Sequence, residues 1–124
     1  MKRALILITA LVTLTPFTAM AETPARLTDV SYVAAARCLA YADLPQVQSN
    51  AADYAALRTA VEQYRLNDSA TRYAVRSETR QIRAHADTMA STEAGVSTLR
   101  QRRNDSCARF VQSGLVQSDA APHA

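Results

Sequence analysis

Two cysteines, Cys38 and Cys107, stand far apart in a chain of 124 residues, and no third thiol competes for either. Their meaning depends on compartment, and the first residues supply one. Lys2 and Arg3 precede an apolar run from Ala4 to Leu14, Pro16 interrupts it, and Ala19-Met20-Ala21 offers a small-x-small cleavage site. This is the pattern of a secretory signal peptide over residues 1–21. The run is too short for a confident membrane span and no second apolar segment follows it, so a soluble periplasmic or secreted product without stable membrane insertion is expected. Thiols seldom stay reduced there. A single Cys38–Cys107 disulfide is therefore expected, closing a loop of about 70 residues and contributing about 4 kcal/mol in the chain-entropy description.

Helical spacing dominates the remainder. Thr28 or Asp29 is positioned to cap a first helix, along which Val30, Val33, Ala34, Cys38, Tyr41 and Ala42 recur at intervals that place them inward. Asp43-Leu44-Pro45 ends it, because a residue before proline leaves the α region. After a polar connection through Val47 and Ser49, Asn50 caps a second helix with Tyr54, Leu57, Val61 and Tyr64 on one side. Asn67-Asp68-Ser69 supplies a break and a new cap, leaving open whether helices two and three are continuous. Val75, Thr79, Ile82, Ala86 and Met89 stripe the third helix; Val96, Leu99, Cys107, Phe110 and Val111 share a side of the fourth, and Gly114 fits the position just past its end. No strand alternation or glycine-rich loop appears. The reading is all-α: a small antiparallel bundle of about four helices in a single domain, 22–116, with a mobile polar tail, 117–124. The bridge joins the first helix to the last.

With the leader removed, Lys2 and Arg3 go with it and the net charge falls from +3 to +1. So balanced a domain has no overall electrostatic reason to bind nucleic acid. No serine lies in a nucleophile motif, no Cys-x-x-Cys occurs, and His85 lacks a second ligand nearby, so neither enzymatic activity nor a metal or cofactor is expected. His123 falls in the tail.

Two surface features remain. Arg72, Arg76, Arg80 and Arg83 follow one another at spacings of four, four and three, stacking guanidinium groups along one side of the third helix. Such a stripe suits an acidic protein face or phosphates, or else pairs with Glu78, Asp87 and neighbouring acids as an ordinary solvated surface. Tyr54 and Tyr64 belong to the core rim, whereas Tyr32 and Tyr73 are less clearly inward and suit an exposed contact.

Cys38-Leu39-Ala40 and a late helical cysteine are similar to the arrangement in small periplasmic immunity proteins that neutralise amidase toxins. The likeness spans those few residues, and no residue role is carried over from it. Acid-protective periplasmic chaperones are similar in architecture, being small helical chains with one disulfide. The expected function is that of an exported, non-enzymatic helical module binding another protein, of inhibitor or immunity type. The alternative is a periplasmic stress, chaperone-like or envelope-structural protein. The partner's identity and the oligomeric state are left open by the sequence.

Overall fold

The computed structural model describes residues 27–65 and 67–117; the expected leader and residues 118–124 of the tail lie outside them. Among the described residues there are four α-helices and no strand: α1 (Asp29–Ala42), α2 (Ala55–Gln63), α3 (Ser69–Met89) and α4 (Glu93–Gln112).

Local chemistry sets their ends. At the start of α1, Thr28 Oγ1 accepts from the Ser31 amide while the Ser31 hydroxyl accepts from the Thr28 amide, a reciprocal cap. Asp43 closes the helix ahead of Leu44-Pro45. Asp68 caps α3, so helices two and three are separate elements. Thr92 caps α4 by accepting from the Gly95 amide. That position admits glycine alone, since a Cβ on Gly95 would be driven into the backbone carbonyl of Met89. Beyond α4, Gly114 takes φ +78°, and the amides of Gly114 and Leu115 donate to the carbonyls of Val111 and Phe110. Both bonds satisfy carbonyls that the helix end leaves without partners.

Helix α1 is the hub, packing against α4, α3 and α2 in turn. Its pairs with α3 advance together, Arg37 with Glu78 and Gln46 just beyond α1 with Asp87, so these two helices run parallel. Its pairs with α2 run oppositely, Tyr32 with Tyr64 and Asp43 with Arg58. Helix α4 doubles back from α3 through a turn of three residues and lies antiparallel to α1. There Cys38 and Cys107 are bonded, with Cα atoms 4.9 Å apart and both side chains buried.

The core falls into two clusters on either side of α1. One gathers Cys38, Leu39, Tyr54, Leu57, Cys107 and Phe110 around the disulfide. The other packs Ala40, Leu44, Val47, Ile82, Ala86 and Leu99 between α1, α3 and α4. A fully buried leucine such as Leu57 or Leu99 contributes about 1.5–3 kcal/mol, whereas the alanines allow close approach and contribute little each.

Four expectations need correction. Val30 is 74% exposed, because it lies on the side of the first turn of α1 away from Tyr32, the residue of that turn that packs on Tyr64. Val111 is 36% exposed, on the flank of α4 rather than its inward side. The connection after α1 is no plain polar loop: it forms two 3₁₀ turns, Pro45–Val47 and Ala51–Tyr54, that bury Leu44, Val47 and Tyr54. Asn50 therefore caps the second of these turns, its side chain accepting from the Ala52 amide, and α2 begins only at Ala55. Gln117, assigned to the tail, is tied to the domain by donating its amide to the Asp53 carbonyl at 2.8 Å.

Candidate functional site on helix α3

Helix α3 begins at an anchored cap. Asp68 Oδ1 accepts from the Ala70 amide and Oδ2 from the Thr71 hydroxyl. These bonds, the hydroxyl's first, hold the Asp68 carboxyl below its ordinary value of 3.8. A negative charge there also complements the positive end of the helix dipole. With 21 residues, α3 is about 31 Å long. Its inward stripe packs on the rest of the fold. Ile82 and Ala86 are buried, and Val75, Thr79 and Met89 are half-buried.

Arg72, Arg76, Arg80 and Arg83 are all exposed. Tyr73 is 69% exposed and lies next to them, one helical turn before Arg76 and two before Arg80. The nearby acids are unevenly placed: Glu78, two residues from Arg76 and from Arg80, lies on another side of α3, whereas Asp68 and Asp87 lie four residues from Arg72 and Arg83 at the two ends of the row. Glu78 accepts from Arg37 Nε of α1, and Asp87 Oδ1 accepts from Gln46 Nε2 at 2.8 Å. Among the described residues none of the four arginines makes an ion pair. Like charges at i, i+4 cost a helix a few tenths of a kcal/mol per pair. Asp68 acts on Arg72 at one end and Asp87 stands one turn beyond Arg83 at the other, so this small penalty is least offset at Arg76 and Arg80.

Tyr32 is not part of this surface. It is half-buried and stacks on Tyr64, with ring centroids 4.9 Å apart and planes at 27°, fastening the start of α1 to the end of α2. His85 is exposed on a different side of α3 from the arginines. Among the described residues no three His, Cys, Asp or Glu side chains gather as metal ligands would, and no helix is long and apolar enough to cross a membrane.

One feature had no signal in the sequence. A groove of about 790 Å³ opens between α4 and the 3₁₀ connection, with Arg100 and Arg103 on one wall, Ser49 and Asp53 on the other, and Val111 in its apolar lining. It depends on the path of the connection, which spacing alone does not define.

No family model, curated protein or solved structure matches this chain.

Proposed function

We propose that this is an exported, non-enzymatic helical module that binds another protein through the exposed side of α3, acting as an inhibitor or immunity-type factor. The supporting observation is the row Arg72, Arg76, Arg80 and Arg83, which makes no ion pair among the described residues and lies beside an exposed Tyr73. Arginine and tyrosine are the residue types that most often anchor protein interfaces. A basic row also steers an acidic partner and fixes its register. The Cys38–Cys107 bridge holds α4 to α1, and Ile82 and Ala86 pack α3 against both, so little ordering free energy is lost on binding.

A second reading, a chaperone-like envelope protein, draws on the two most exposed large apolar side chains, Val30 and Tyr73. One experiment separates the two. The chain from Glu22 onward is immobilised and exposed to an envelope extract of its source cell. A single stoichiometric protein released by salt supports the first reading. Protection of several unrelated clients from acid or heat aggregation, with no single partner retained, supports the second and removes the first.

A further inference from the structure

The groove beside α4 shares no residue with the α3 surface, and its inference stands apart from that reading. One wall is a flank of α4 on which Arg100, Arg103, Asn104, Ala108, Val111 and Gln112 recur at helical spacing. From Arg100 to Gln112 this wall is about 18 Å long. The facing wall runs from Val47 to Tyr54. It is shaped by the left-handed backbone of Gln48, at φ 51°, and by the Asn50 cap. Its apolar lining comes from Val47, Tyr54, Val111, Val116 and the buried Cys107 of the disulfide.

The groove is also electrically polar along its length. At one end Arg103 donates from Nη1 to Ser49 Oγ at 2.8 Å, which holds its guanidinium across the opening, and Arg100 lies one turn away. Neither arginine makes an ion pair among the described residues. At the other end stands Asp53, whose carbonyl accepts from the Gln117 amide, close to the C-terminus of α4 where the helix dipole is negative. Amide side chains also line it: Asn50 and Asn104, whose oxygens accept from the Ala52 amide and Arg103 Nε, present NH2 donors, and Gln48 and Gln112 present both donor and acceptor.

We propose that this groove binds a short extended oligopeptide of about five residues, which at 3.3 Å per residue spans its length. The C-terminal carboxylate lies at Arg100 and Arg103 and the ammonium group at Asp53. Arginine is suited to carboxylate recognition, and the flanking amides match both donors and acceptors of an extended backbone. The volume is within the range of small-ligand sites. A saccharide is the poorer fit. Tyr54, the aromatic ring in the lining, is only 8% exposed and offers no open face on which a sugar could stack.

The test is isothermal titration of the chain from Glu22 onward with Ala-Val-Ala-Val-Ala. The peptide is used with free ends, with an amidated C-terminus, and with an acetylated N-terminus. The proposal expects saturable one-to-one binding of the free peptide, weakened at least about tenfold by amidation and to a smaller degree by acetylation. Arg100→Glu, a change at an exposed position, should abolish binding while leaving the helical circular dichroism and melting temperature unchanged. Val111→Asp in the apolar lining should weaken it independently. Absence of saturable binding by the free peptide overturns the proposal. So does binding that is indifferent to amidation or that survives Arg100→Glu.

Discussion

Arg37 on α1 donates through Nε to Oε1 of Glu78 on α3, and in doing so occupies the only carboxylate between Arg72 and Arg83. The hydrogen bond to Glu78 is also what raises the affinity of the Arg37 guanidinium for its proton. Both side chains remain substantially exposed, at 47% and 35%, so water screens the pair and its stabilising effect should be about 0–1 kcal/mol. A double-mutant cycle on Arg37→Ala and Glu78→Ala, followed by chemical denaturation, should return a coupling within that range. A coupling well above it would mean that the pair is a principal tie of α3 to α1.

The disulfide is expected to matter more. A sequence separation of 69 corresponds to about 4 kcal/mol of lost unfolded-state entropy. Intact mass after alkylation without reductant should show no modified thiol. Reduction, or the double change Cys38→Ser and Cys107→Ser, should lower the melting temperature by at least about 10 °C. An unchanged transition would mean that the alanine-rich core holds the bundle without it.

The two glycines should respond differently to alanine. Gly95→Ala forces a methyl group into the Met89 carbonyl and must open the turn between α3 and α4, at an expected cost of more than about 2 kcal/mol. Gly114→Ala meets open space and bears only its positive φ, at a cost of about 1 kcal/mol. Urea denaturation of both variants checks the order, and equal losses would refute the account of the turn.

Acid should loosen the start of α3. The folded Asp68 carboxyl is depressed below its ordinary value, mainly by the Thr71 hydroxyl and then by the Ala70 amide. Its contribution to stability is thus present above the ordinary carboxylate range and lost as pH falls through the lower, folded value. Asp68→Asn keeps an oxygen for the Ala70 amide but cannot titrate. The stability difference between wild type and this variant should be constant near neutrality and diminish below about pH 4. A difference independent of pH would contradict the role given to the carboxylate.

Much of the fold was legible because helix boundaries here are written in side-chain chemistry. Thr28, Asp68 and Gly114 act where their residue types predict, and the inward stripe of α3 is read directly from spacing. The inward cysteines were equally plain from the helical phases of Cys38 and Cys107. Periodicity failed where a turn is covered on one side alone: Val30 continues the apolar phase of α1 but faces away from the Tyr32–Tyr64 stack. It failed again between Leu44 and Tyr54, where short 3₁₀ turns bury apolar side chains at irregular intervals and carry no 3.6-residue signal. The groove followed that segment out of reach. On α3 the arginine row was visible, but the pairing of Glu78 with Arg37 and the stacking of Tyr32 on Tyr64 are tertiary contacts, beyond what one helix's spacing can encode.

The central claim is that the arginine row and Tyr73 form a protein-binding surface. It is tested most directly by measuring how much partner the chain from Glu22 onward retains from an envelope extract of its source cell, beside the double variant Arg76→Glu and Arg80→Glu. All four α3 arginines are exposed, so the variant should keep its helical spectrum and melting temperature. The account predicts one protein retained at one-to-one stoichiometry by the wild type and lost from the variant. Equal retention by both, or no stoichiometric protein on either, would contradict it.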